Sequence, residues 1–312
     1  MNKGANTFLG YFFSYKNIIG FSISIACLYF VYRSFTWNEF IKQLLNLDYF
    51  YISISILCLI TSIVLRAFRW KKIFGLDDID VMSLYKAEII GFWGNSLFPL
   101  RLGEVIRIHY AKVLTLKKYT LIFGTIFLER VIDLILVAPF AFIFYYYFPM
   151  EIINSKINFL LFLIPLFLIG GIAYKFFFKS IKDKINQNIG VDLIQNFINK
   201  KKSIISLSIL IWALVLLDVY FVQAAMNLNL SIIHCLLIMF VATIIYAIPS
   251  SPGTIGTFHI AIQELMVQIL GQTIDVSIAF AFILHAHSYL FFIMLGSYYF
   301  LKDSKNILSF GK

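Results

Sequence analysis

Residues Asn95–Arg107 read NSLFPLRLGEVIR, and the reading of this stretch decides the fold. It lies between apolar runs, yet it gathers Asn95, Arg101, Glu104 and Arg107 around Pro99 and Gly103. An unbroken membrane helix does not carry such content, because proline removes a backbone donor and charges at membrane depth are costly. A helix interrupted at a protein-lined or water-filled cavity tolerates both. The competing account is a cytoplasmic loop between two short surface helices, and the remainder of the chain weighs against it.

The chain is 61% hydrophobic and only 13% charged, with 18% aromatic residues, against roughly 45–50% apolar in a soluble domain. Several apolar runs of span length make it an integral membrane protein. The net charge of +10 therefore points to cytoplasmic loops and anionic headgroups. No basic, aromatic segment stands apart from the spans to bind nucleic acid. Cys27, Cys58 and Cys235 lie in apolar segments without paired spacing, so neither a disulfide framework nor a metal site is expected. The first apolar run, from Ile18, follows Lys3 and Lys16 and ends at Tyr32-Arg33 without a small-residue cleavage site, which predicts an uncleaved anchor helix.

In chain order the pattern predicts an all-α polytopic bundle of six full spans and two re-entrant, broken-helix hairpins. The first two spans cover about 17–36 and 50–69, joined by a short charged loop at 36–49. After the GLDDID turn at 75–80, helices at about 82–97 and 104–116 flank the Pro99–Gly103 break. The third span covers 119–147, with an aromatic far end at Tyr145–Phe148, and the fourth covers 158–178. The lysine-rich segment 179–202 repeats apolar residues at helical spacing (Ile181, Ile185, Ile189, Leu193, Ile194, Phe197, Ile198), as an amphipathic helix on the membrane surface does. The fifth span is 203–226. A second hairpin follows, with helices at 232–247 and about 256–270 around Pro249–Gly253, and the sixth span is 276–301.

Lysine and arginine set the orientation. With both termini cytoplasmic, the inside segments collect Lys3, Lys16, Arg69, Lys71, Lys72, Lys112, Lys117, Lys118, the lysines of 175–202 and those of the tail. The outside segments keep Lys42 and Lys156, with Arg33 near an outer span end. The chain then reads as a single transmembrane domain over 1–312, with inverted halves at 17–148 and 158–301. Three crossings separate the hairpins, so the first dips from the cytoplasm and the second from outside, a plan shared by alternating-access transporters.

Three constellations carry chemistry. Glu129, Arg130 and Asp133 fall within two turns of the third span and cannot all face lipid. They either lock helix packing or line a polar path, and Glu129 or Asp133 can pair Arg101 or Arg107. Arg66 and Arg69 share a helix face; snorkelling explains Arg69, Lys71 and Lys72, whereas the deeper Arg66 can fork onto a phosphate. In the second break, Ser250, Ser251 and Gly253 precede a restarting helix whose free N–H groups suit an anion. Of the histidines, His285 and His287 point to different sides of one helix, and His259 with His285 lacks a third ligand. A polar or proton-handling role thus suits His259 better than a metal site. No pattern for serine or aspartyl proteolysis is present.

Taken together, Arg66 with Arg69-Trp70, the N-x3-P-x-R-x-G-E-x2-R run at 95–107, E-R-x2-D at 129–133 and PSSPGTIGTFH at 249–259 make a recognisable set. It resembles the lysylphosphatidylglycerol synthase transmembrane region family, over nearly the whole chain. The resemblance implies a flippase-like bundle with re-entrant helices that moves anionic or polyprenyl-linked lipids between leaflets. Relatives often read P-G-G-x-G followed by an acid; here Thr254 replaces the second glycine and His259 stands near the acid's place, which puts an aminoacyl-lipid substrate in question. The chain ends at Lys312, so the soluble transferase domain of full-length synthases, and with it enzyme activity or a cofactor, is not expected.

The expected function is a lipid translocase of the cytoplasmic membrane. Its partner is a lipid with an anionic headgroup, held by Arg66, Arg101 and Arg107 on the inner side and by Ser250–Gly253 on the outer side. Asn95, Glu104, Glu129, Arg130, Asp133 and His259 complete the expected site. The alternative is a scaffold, alone or as a homo-oligomer, that recruits an envelope-biosynthesis enzyme through its basic 179–202 segment.

Overall fold

The computed structural model of the chain describes residues 36–99, 101–140, 187–247 and 251–307, together with Tyr29 and Arg33. Nearly all of the expected first span, the fourth span, the aromatic end of the third, Cys27 and Ser250 lie outside the described residues. All regular structure among the described residues is helical. Among the described residues, three helices are long and apolar enough to cross a membrane, beginning at Tyr49, Leu193 and Ile274.

A short helix α1 (Trp37–Leu45) occupies the segment expected to be a loop. Its Phe40 and Leu44 pack against the core while Glu39 and Lys42 pair on the outer face, an amphipathic pattern too brief to stand out among spans. Helix α2 (Tyr49–Phe74) is the second span. The Asp48 carboxylate starts it by accepting from the Phe50 N–H at 2.9 Å. In the GLDDID turn, Asp80 does the same for α3 (Val81–Leu97), accepting from Ser83 N–H at 3.0 Å. Helix α4 (Gly103–Thr115) returns from the break, and α5 (Tyr119–Val137) follows.

The two helices of this first hairpin touch through glycines. A Cβ on Gly103 would collide with the Gly91 carbonyl and with Asn95, and Gly94 faces Gly103 Cα. In a membrane, where lipid is as apolar as the helix, such close backbone approach supplies the packing energy.

Helix α6 (Gln187–Ala225) corrects the expectation for the lysine-rich segment. Its described part does not form a separate surface helix; it continues directly into the fifth span as one helix of 39 residues. The reason is that its apolar face meets protein. Leu193 is buried against Gly124, and Phe197 joins Ile73, Ile132 and Ile204. Asn196 donates to the carbonyls of Lys72 (2.8 Å) and Ile73 (2.9 Å), satisfying acceptors that the end of α2 leaves open. Helices α2 and α6 run antiparallel, from Asn196 beside Ile73 to Asp48 N–H bonded to the Ala225 carbonyl at 2.9 Å.

Helices α7 (Ile232–Ala247) and α8 (Thr257–Gln268) form the second hairpin, with a 3-10 turn at Pro252–Thr254 between them, and α9 (Ile274–Ile307) closes the described chain. Helix α9 carries both hairpins. Its first half (Ala279–Leu284) packs with Phe258, Ile262 and Met266 of α8 and Cys235 and Met239 of α7. Its second half packs on the first hairpin: Phe292 stacks on Phe92, Ser297 accepts from Trp93 Nε1 at 3.0 Å, and Asp303 pairs with Lys86 and Tyr110.

The two breaks meet between these halves. Gly253 adopts φ 60°, and any side chain there would strike the Tyr289 ring beside the Ser96 carbonyl. Tyr289 lies near the middle of the 34-residue α9, so each hairpin reaches about 20 Å along it at ~1.5 Å per residue.

Gly103→Ala is expected to lower the unfolding midpoint in detergent, at a cost of about 1–3 kcal/mol or more from overpacking. Gly124→Ala is the control: its added methyl meets only the end of the flexible Leu193 side chain, and helix propensity offsets the contact by up to about 1 kcal/mol. Equal effects of the two substitutions would contradict this account of the hairpin.

Candidate functional site

The break at Pro99 and the helices around it assemble a charged cluster from four elements. Arg66 and Arg69 come from α2, Glu88 from α3, Glu104 and Arg107 from α4, and Glu129, Arg130 and Asp133 from α5; Arg101 stands on the turn itself.

Its floor is buried. Arg69, Glu88, Arg107 and Glu129 are each no more than 2% exposed. Glu129 sits between the two guanidinium groups, accepting from Arg69 Nη2 through Oε1 at 2.7 Å and from Arg107 Nη2 through Oε2 at 2.8 Å. Arg107 also donates to Glu88 at 2.5 Å, and its guanidinium lies 3.9 Å over the Trp70 ring. Trp70 is fixed in turn by donating to Thr125 Oγ1 at 2.8 Å. Arg69 forks onto Asp133, with Nη1 to Oδ1 at 2.6 Å and Nη2 to Oδ2 at 3.2 Å, and reaches Ser208 on α6 at 3.0 Å. Trp212 of α6 adds a bond to Asp133 at 3.3 Å. The floor thus ties α2, α3, α4, α5 and α6 together.

The rim is more open. Arg130 donates to Glu104 at 2.6 Å, and their side chains are 37% and 24% exposed. Arg101 lies 3.7 Å from Glu104, and Arg66 lies 3.8 Å from Asp133. Arg101 holds φ 57°, a left-handed conformation unusual for a residue with a β-carbon. Such a conformation carries strain that a glycine in its place would not.

The sequence-predicted residues divide between these layers. Glu129 pairs with Arg107 as expected, while Arg101 pairs with Glu104. Arg107 belongs to the closed floor, between the carboxylates of Glu88 and Glu129. Arg69 is the main correction: it is not a snorkelling lysine-like anchor but the most enclosed arginine of the cluster, because two acids on α5 face it. Arg66 and Arg130 stand at the rim. Asn95 packs against Gly103, with its Oδ1 buried and lacking a hydrogen-bond partner among the described residues. Sequence reasoning missed Glu88; its signal was a lone acid inside the apolar run 87–93.

At the second break, Ser251 is buried and donates to the Ile255 carbonyl at 2.9 Å. The helix restarts at Thr257, with Gly256 N–H donating to His259 Nδ1 at 3.2 Å. His259 therefore acts as a cap for its own helix, and it does meet His285, at 4.9 Å between ring centroids. Thr254 takes φ 56°, a costly conformation for a β-branched residue. Among the described residues no group of three or more His, Cys, Asp or Glu is placed to hold a metal ion.

Replacing either floor arginine by glutamine is expected to cost about 3–5 kcal/mol, since a buried carboxylate loses its partner. Arg101→Gly is expected to stay within about 1 kcal/mol of the parent, since it removes a rim pair and backbone strain together. Thermal unfolding of the purified proteins reads both, and a severe Arg101→Gly loss with a mild Arg107→Gln one would reverse the assignment of floor and rim.

Comparison with known proteins identifies the family. The chain is 31% identical over 232 residues to the UPF0104 membrane protein MJ1078 of Methanocaldococcus jannaschii, an alignment covering 69% of this chain and 95% of the relative. No solved structure matches it. The family described as the lysylphosphatidylglycerol synthase TM region matches residues 17–296, spanning every described element of the cluster and both breaks, and the chain belongs to that family.

Proposed function

We propose that the chain moves an anionic phospholipid or a polyprenyl-phosphate-linked lipid between the leaflets of the cytoplasmic membrane, with both termini inside. The observation that carries this reading is the layered cluster. In its floor, Arg69 and Arg107 are offset by Glu88 and Glu129. Arg66, Arg101 and Arg130 share Glu104 and Asp133 with that floor, which leaves the cluster one positive charge in excess, and Arg130 and Arg101 are its most exposed side chains, at 37% and 34%. A phosphate headgroup fits planar guanidinium forks held this way.

The meeting of the breaks supports the same reading. Two hairpins entering from opposite faces and touching at Gly253 and Ser96 would be re-entrant elements around a path through the membrane. A headgroup would take the place of Glu104 and Asp133 on the rim arginines and pass toward the junction beside Tyr289. The scaffold alternative gives no use to an arginine held in a left-handed turn.

Reconstituted in vesicles with a labelled anionic phospholipid or polyprenyl phosphate, the protein is expected to accelerate leaflet exchange over empty vesicles. Arg101→Ala and Arg130→Ala are each expected to slow it about tenfold, equivalent to about 1.4 kcal/mol, with the unfolding midpoint little changed. Exchange no faster than in empty vesicles for every lipid of either class would overturn the reading.

A further inference from the structure

A second polar cluster lies away from the arginines, where α2, α6 and α9 meet. Asp218 of α6 accepts through Oδ1 both from Ser55 Oγ of α2 and from His287 Nε2 of α9, the latter at 2.9 Å. His287 Nδ1 faces the Ile283 carbonyl at 3.2 Å. Each ring nitrogen thus has an oxygen opposite it, an arrangement that accommodates an imidazole carrying both protons. The Ser55 and His287 side chains are buried, and the Asp218 side chain is 14% exposed. Among the described residues, His287 is the basic group paired with Asp218. The other titratable groups near enough to influence the pair are Cys58 of α2, Tyr246 of α7 and His285 of α9.

The position of this pair gives it leverage. His287 sits between His285, which packs on Phe258 and His259 of the second hairpin, and Tyr289, which touches both breaks. One face of α9 therefore holds the hairpin tips, while the other is pinned to α6 by this pair. Neither contact to Asp218 uses Oδ2, so one proton from water can be added there. The pair would gain one positive charge and lose its charge-assisted latch.

We propose that Asp218 and His287 form a proton-binding site that couples the position of α9 to lipid movement. The coupling rests on the translocase reading; the proton site itself does not. An anionic headgroup and the added proton cross together, so that charge in the low-dielectric path is balanced. The proton is returned to water when the lipid leaves, and nothing is oxidised or reduced.

Two measurements separate the parts of this claim. On acidification in detergent, the wild-type protein is expected to bind a proton that Asp218→Asn does not, seen as loss of dye-detected uptake and of the carboxylic-acid infrared band. His287→Gln, which removes the partner of the carboxylate, and Ser55→Ala, which removes a donor to it, are each expected to change the pH range of the uptake, the former more. Uptake unchanged in Asp218→Asn would overturn the site. In vesicles with an imposed pH gradient, labelled anionic lipid is expected to accumulate in one leaflet with wild type and only to equilibrate with Asp218→Asn or His287→Gln. Accumulation retained in both variants would overturn the coupling. Lipid exchange absent in wild type, with proton uptake still lost in Asp218→Asn, would overturn the translocase reading and leave the proton site standing.

Discussion

An arginine keeps its charge wherever a fold places it, so a guanidinium enclosed among membrane helices must be met by carboxylates from its neighbours. Arg69 and Arg107 impose that constraint here, and Glu129 answers both at once. Because the partners come from four helices, the register of each is fixed against the others: sliding α4 by one turn would strand Arg107, Glu88 and Glu129 together. The glycine contacts between α3 and α4 allow the approach that brings these groups within hydrogen-bond distance. Packing and electrostatics are therefore not separate contributions to this hairpin; each requires the other.

Helix α9 distributes the same order across the protein. It supports one hairpin with each half, and the breaks touch at its middle. Polar bridges bind long helices in both parts of the chain, Arg69 to Asp133 between α2 and α5 and Asp218 to His287 between α6 and α9. The arginine bridge contains a group that keeps its charge, and the histidine bridge is the one on which the proposed proton site rests.

Much of this was legible in the residues, for physical reasons that can be named. Proline and glycine at 99–103 and 249–253 located both breaks, and the flanking helices fall within a residue or two of their expected limits. The E-R-x2-D spacing placed Glu129 and Asp133 on one face. What escaped was partnership across distant sequence. Glu88 had no charged neighbour within a turn of its helix except Lys86, and the residue that explains it, Arg107, lies beyond the break. Arg69 sat beside Lys71 and Lys72, and adjacency suggested a shared interfacial role that its burial refutes. Segment 187–202 had the amphipathicity of a surface helix because a face that packs on α2 and α5 has the same period as one that packs on lipid.

The account's central claim is that the hairpins enter from opposite faces and meet at mid-membrane. Single cysteines in a cysteine-free background, at Asp77 before the first hairpin and at Thr273 after the second, test it most directly, since both positions are exposed. A membrane-impermeant thiol reagent should reach position 77 only from the cytoplasmic side and position 273 only from outside. Rapid labelling of both from the same side would contradict the opposed arrangement and the path proposed between the breaks.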